Sequence, residues 1–243
     1  MGMNSLEMPA PVLSQPEPQL DTFDAWWQRQ GDWVEQPNQR RGGESGVQRL
    51  QESDRMLYAK RQVGHLYRSL RYPLGRPTVL REHDALRCMA GLGVRVPNVV
   101  HCSTSFSTDS GWRGLLVTES LDGFQDLDAW YASGARARYD ERLHEQLLHQ
   151  LAATLARMHR ARWQHGCMYA KHVFVRINGE GADARAEVAL LDLEKSRRRL
   201  TGSRAARHDL RQLRRHSSFN AAEWAKLIYV YRAAFGRPIK GLQ

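Results

Sequence analysis

Two short segments gather the chemically able residues of this chain: His165-Gly166-Cys167-Met168-Tyr169-Ala170-Lys171-His172, and Leu191-Asp192-Leu193-Glu194. Val173-Phe174-Val175 follows the first and Val188-Ala189-Leu190-Leu191 precedes the second, so each sits against an apolar, strand-like run. A carboxylate at the end of such a strand is a candidate ligand for Mg²⁺ bridging the phosphates of a nucleotide, and Asp192 stands there. His172, just before a strand, offers a nitrogen ligand or a hydrogen bond beside that metal, although magnesium prefers oxygen and water can mediate. Lys171 is placed to offset charge developing on a transferred group. The plainer alternatives are a turn-capping aspartate, a packed histidine and a solvated lysine. His165 reads as structural rather than as a base.

Phosphoryl transfer needs something to hold the phosphates, a lysine on them, a divalent ion and a positioned hydroxyl. Candidates for the remaining parts follow in chain order. Gly43 and Gly46, in the run Gly42-Gly43-Glu44-Ser45-Gly46, would let backbone amides approach phosphates closely, though three glycines in such a run also describe an ordinary turn. Lys60 ends Met56-Leu57-Tyr58-Ala59-Lys60, where strand alternation directs it away from the Leu57 face. Glu82 lies on the next helix, within reach of that lysine. Glu119, which closes the apolar run Gly114-Leu115-Leu116-Val117-Thr118, is a further candidate contact to the cofactor.

The elements that must position these residues are legible in outline. Strands are expected at Val47–Leu50 and Met56–Lys60, a helix over 77–91 with Pro77 at its start, a break at Pro97 before Val99-Val100, and a buried strand over 114–119. Leu143, Leu147, Leu148, Leu151, Ala152, Leu155 and Met158 form one apolar stripe, which predicts a helix over 142–162. A hairpin turning at Asn178-Gly179-Glu180-Gly181 comes next, then helix over 208–235 with Leu210, Leu213, Trp224, Leu227, Ile228 and Tyr231 inward. The order is a small α+β unit followed by a mainly α unit. Boundaries are expected at 1–40 for an N-terminal extension, 41–120 for the first lobe and 121–243 for the second. Four prolines in residues 1–20 suggest a loose start, and Phe23, Trp26, Trp27 and Trp33 suggest a short helix packed on the body.

The net charge is +10 and unevenly spread: residues 195–215 carry Lys195, Arg197, Arg198, Arg199, Arg204, Arg207, Arg211, Arg214 and Arg215 against Asp209 alone. Such a block attracts phosphate-rich partners such as nucleic acid, an anionic membrane surface or a phosphorylated glycolipid, or else forms a solvated helix face. No nucleic-acid module accompanies it, so nucleic acid is the least expected partner. No apolar run reaches the ~20 residues needed to span a bilayer, and no basic n-region precedes an apolar one. Cys88, Cys102 and Cys167 form no metal-type spacing and fit reduced thiols, so a cytoplasmic protein is expected.

His165-Gly166-Cys167-Met168-Tyr169-Ala170-Lys171-His172-Val173-Phe174-Val175, followed by Leu190-Leu191-Asp192-Leu193-Glu194-Lys195, resembles the lipopolysaccharide kinase family (Kdo and WaaP kinases), its InaA-type branch above all. The resemblance covers roughly residues 40–215. It implies an α+β, protein-kinase-like bilobal fold with an antiparallel sheet in the N-lobe and a mainly helical C-lobe. It implies ATP with Mg²⁺, and phosphorylation of heptose or Kdo in the lipopolysaccharide core at the inner face of the cytoplasmic membrane, with the basic segment holding the anionic glycolipid. Asp192 matches the metal aspartate, and His172 stands in place of the kinase asparagine. Cys167 takes the catalytic position where the kinase pattern has an aspartate that accepts the hydroxyl's proton. A free thiol has a pKa near ~8.5. Three outcomes stay open: a slow kinase, a kinase with another base, or a nucleotide-binding pseudokinase acting as a stress-response regulator.

Overall fold

The computed structural model describes residues 22–40, 42–239 and 241; the expected loose start over 1–20 lies outside the described residues. Helix α1 (Phe23–Gln28) leads into β1 (Asp32–Arg40), β2 (Gly43–Glu52) and β3 (Arg55–Val63). A small hairpin, β4 (Leu66–Ser69) and β5 (Tyr72–Pro77), precedes α2 (Thr78–Gly91), followed by β6 (Val99–Ser107) and β7 (Gly111–Glu119). The large strands form one antiparallel sheet in the order β1-β2-β3-β7-β6.

The sheet's alternation divides its labour. On β3, Leu57 and Ala59 are fully buried against Trp26, Leu50, Leu115 and Val117, while Lys60 points to the other face. That small core reaches back to the start of the described residues. Trp26 of α1 is one of its members, and the Arg61 guanidinium donates to the carbonyls of Trp27 and Arg29, stapling α1 to the sheet. Strand β1 then satisfies the edge of β2. Residues 23–40 thus pack on the N-lobe sheet and extend it by one strand. Trp33 sits on β1 rather than in the helix, and the glycine-rich run is mostly strand, with Gly42 in a turn and Gly43 paired to Arg40.

The second lobe begins with β8 (Gln125–Asp126), α3 (Leu127–Ala132) and α4 (Ala135–Arg138). Its central element is α5 (Glu141–Arg160), capped by Asp140, whose carboxylate accepts from Leu143 N at 2.8 Å. The stripe read from sequence is the buried face. Strands β9 (Trp163–Gln164), β10 (Val173–Asn178), β11 (Arg185–Leu190) and β12 (Arg197–Arg198) follow, with β11-β10-β8 forming one small sheet and β12-β9 another. The expected helix over 208–235 is two helices, α6 (Gly202–Arg215) and α7 (Ala221–Phe235). Asn220 and Glu223 form a reciprocal capping box that restarts the helix after 216–219. The two-lobed α+β architecture with an antiparallel N-lobe sheet is thus as expected. Among the described residues, no helix is long and apolar enough to cross a membrane.

Candidate active site

Between the lobes lies a cavity of about 380 Å³, within the range of small-molecule sites. Val47, Leu116 and Leu86 come to it from the first lobe, Phe174 from β10, and the connector Thr118-Glu119-Ser120-Leu121 closes one side. Lys60, Glu82 and Asp192 stand together in its wall, so three candidates from distant parts of the sequence converge. An apolar slot with charged groups at one side suits a flat heterocycle carrying phosphates.

Lys60 Nζ lies 2.8 Å from Glu82 Oε2 and 2.7 Å from Glu194 Oε2. Burial would strip the proton from this lysine, but Glu82, Glu194 and Asp192 together hold its pKa above the usual lysine range. Glu194 is also fixed by Gln62 Nε2 at 3.3 Å, and its carbonyl accepts from Arg81 Nε at 2.6 Å. Burial raises the Asp192 and Glu194 carboxyls and the nearby Lys60 ammonium more than reverses it, leaving both below their ordinary values. Asp192 has φ of 60°, a left-handed conformation costing about 1–2 kcal/mol for a residue with a side chain. Strain held beside a cavity marks a position shaped for something other than stability.

His172 donates from Nδ1 to the Cys167 carbonyl at 2.7 Å, which leaves Nε2 facing Asp192 Oδ2 at 3.4 Å. Among the described residues no group of three or more His, Cys, Asp or Glu side chains is arranged to hold a metal on its own. One carboxylate in the wall of a cavity nevertheless suits magnesium, which completes its shell with water and ligand oxygens.

The loop 165–172 is built from its main chain. His165 Nε2 donates to Leu191 O at 3.0 Å, and its Nδ1 accepts from Cys167 N at 3.3 Å. Burial pushes its pKa down, so it is a neutral strut tying the loop to the Asp192 segment. Beneath the loop, Asp209 is fully buried and accepts from His165 N at 2.6 Å and Gly166 N at 3.1 Å. Its other contacts are His159 Nε2 at 3.2 Å and His208 Nδ1 at 3.1 Å. Burial would raise this carboxyl; the histidine hydrogen bonds hold it far below the usual range. In sequence Asp209 stands out only as the odd acid in a basic block. The signal was available: it occupies the buried stripe of α6 with Ala205, Ala206, Leu210 and Leu213. Glu194, too, was seen only as part of a motif.

The remaining candidates are placed differently. Glu119 lines the cavity, but its carboxylate is engaged by Arg55 Nη1 at 3.3 Å and Asn98 Nδ2 at 2.8 Å. A Cβ on Gly43 would meet the Gly64 and His65 backbone at 2.6 Å, and one on Gly46 would meet the Trp33 ring at 2.7 Å. Both glycines thus let the protein's own chain approach, and neither lines the cavity. Lys171 is exposed, beside Asp128 on α3, whose carboxyl is raised by burial and by Asp126 against the pull of Lys171 and His172. The Cys167 side chain is 4% exposed and does not line the cavity.

Residues 24–231 match the sequence profile of the lipopolysaccharide kinase (Kdo/WaaP) family. The chain is 41% identical over 214 residues to Protein InaA of Escherichia coli (strain K12), covering 88% of this chain and 96% of that protein. In three dimensions it is similar to WaaP in complex with acyl carrier protein, with a TM-score of 0.68, 22% identity, and coverage of 90% of this chain and 83% of that one. By its sequence and its two-lobed fold, the chain belongs to the lipopolysaccharide kinase (Kdo/WaaP) family.

Proposed function

We propose that the protein is an ATP-dependent kinase that phosphorylates a heptose or Kdo sugar of the lipopolysaccharide core from the cytoplasmic side of the membrane. The observation that carries this reading is the convergence of Lys60, Glu82 and Asp192 on one cavity. Val47, Phe174 and the Glu119 connector would hold the adenine of ATP in the apolar slot. Lys60, oriented by Glu82, meets the phosphates, while Gly43 and Gly46 shape the hairpin above them. A magnesium ion held by Asp192, with His172 beside it, would neutralise phosphate charge. Lys171, at the open side of the loop, faces the incoming acceptor.

The acceptor carries negative charge, and the basic segment supplies its complement. Arg162, Arg198, Arg199 and Arg204 surround a hollow of about 430 Å³ a few residues beyond Glu194, with no carboxylate in its wall. Arg199 Nε is buried there without a hydrogen-bond partner, an arrangement an anionic group would complete. The test is transfer of labelled phosphate from ATP to dephosphorylated core oligosaccharide: Asp192→Ala is expected to abolish it with the fold intact, and undiminished transfer would sink the assignment.

One observation favours a second reading, a nucleotide-binding regulator without turnover: the thiol of Cys167 is buried where the kinase pattern has its base. The loose transition state of phosphoryl transfer tolerates loss of base catalysis at a cost of about 10²–10⁴-fold in rate. Gain of transfer in Cys167→Asp would mark a degenerate kinase, and loss would give the cysteine its own role.

A further inference from the structure

The β4–β5 hairpin takes no part in the cleft, yet it is the most exposed apolar feature among the described residues. Its turn is Leu70-Arg71, between paired Ser69 and Tyr72. Leu70 is 106% exposed and Leu74 90%. Arg68 and Arg71 are exposed beside them, and the sequence from Leu66 to Leu80 contains no acid. Arg76, nearer the base, is paired with Asp84 at 2.8 Å. Tyr67 and Tyr72 meet edge to face at 6.0 Å below the tip.

The base is fixed while the tip is free. The Arg81 guanidinium stacks on Tyr67 at 4.5 Å and donates to the Glu194 carbonyl, so the hairpin is tied to the segment that carries Asp192. Water is a poor solvent for two leucines held on a projecting turn, and a soluble domain gains nothing by displaying them there. A protein partner would need a complementary surface of roughly 800 Å² per side. The convex tip offers two leucines. A bilayer accepts isolated apolar side chains without shape complementarity, places tyrosines at its interface, and attracts arginine through anionic headgroups.

We propose that the β4–β5 hairpin docks the protein on an anionic lipid surface. Leu70 and Leu74 enter the boundary between headgroups and acyl chains, and Arg68 and Arg71 meet the lipid phosphates. A glycolipid acceptor would lie in such a surface, and to that extent the inference deepens the proposed function. The hairpin's link through Arg81 to Glu194 would hold the cleft at a set height above it.

Co-sedimentation of the full chain with vesicles tests this without requiring turnover. The wild type is expected to bind vesicles of phosphatidylethanolamine with phosphatidylglycerol, less so as salt rises, and to bind phosphatidylcholine vesicles weakly. The paired change Leu70→Ser with Leu74→Ser should weaken binding at least about tenfold, and Arg68→Glu with Arg71→Glu should remove its salt dependence. Both side-chain pairs are exposed, so thermal melts should be unchanged. Binding unaltered by the leucine changes would overturn the proposal, as would no binding by the wild type. A loss seen only with Arg198→Glu and Arg199→Glu would overturn it too, by moving the contact to the arginine hollow. Hairpin-dependent vesicle binding by a protein that transfers no phosphate would refute the kinase reading alone.

Discussion

Lys60 and Asp209 each sit in a network of opposite charges, one in each lobe, and the two networks are finished to different degrees. Around Asp209 most partners are closed in: His159 and the carboxylate are fully buried, the backbone amides of His165 and Gly166 complete the inner set, and His208 alone, 35% exposed, reaches solvent. Around Lys60 the side chains keep between 9% and 17% exposure and form part of a cavity wall. A satisfied, dry network stabilises one geometry. A network left open to a cavity can exchange a carboxylate for a phosphate. Under the proposed function, the difference gives Asp209 a structural role and Lys60 and Asp192 the contact with phosphate.

Asp192→Gly gives that contrast its largest expected effect. It removes the carboxylate proposed to act at the phosphates, so transfer should fall by about 10³-fold. It also relieves the left-handed φ, so thermal unfolding should show stability unchanged or higher by about 1 kcal/mol. A glycine variant that melts well below the wild type would show Asp192 to be structural after all.

Asp209→Ala should behave in the opposite way, losing about 3–5 kcal/mol in denaturant unfolding because two amides and two histidines lose a buried partner. The carboxyl's folded pKa is depressed, so its contribution is complete above the unfolded value near ~3.9 and is lost only as pH falls far below that. The wild type and the variant should therefore converge in stability in strong acid. Equal stability of the two at neutral pH would dissolve the comparison. The smallest effect belongs to Cys167→Ala. With the thiol out of the cavity, the transfer rate should stay within about tenfold of wild type, and a fall of ~10² or more would make the thiol the base.

The sequence made visible what repeats locally. The α5 stripe, the two segments around Asp192 and His172, and the alternation that turns Lys60 from Leu57 are all short-range patterns, and each holds in three dimensions. What it concealed depends on partners far along the chain. Strand β1 is irregular, with register shifts around Glu35, and is held by its pairing with β2. Asp209 acts on amides more than forty residues away. The break between α6 and α7 was readable in Asn220 and Glu223, but the apolar spacing on both sides masked it. Gly43 and Gly46 illustrate the converse: glycines in a suggestive run are explained by Gly64 and Trp33.

The central claim, that the open network at Lys60 and Asp192 receives nucleotide phosphates with a cation, is tested most directly by calorimetric titration of ATP into the wild type and Asp192→Asn, with and without Mg²⁺. The wild type should bind ATP at least about tenfold more tightly with magnesium than without, and the variant should lose that difference. The same magnesium dependence in Asp192→Asn, or no binding by the wild type, would contradict the account.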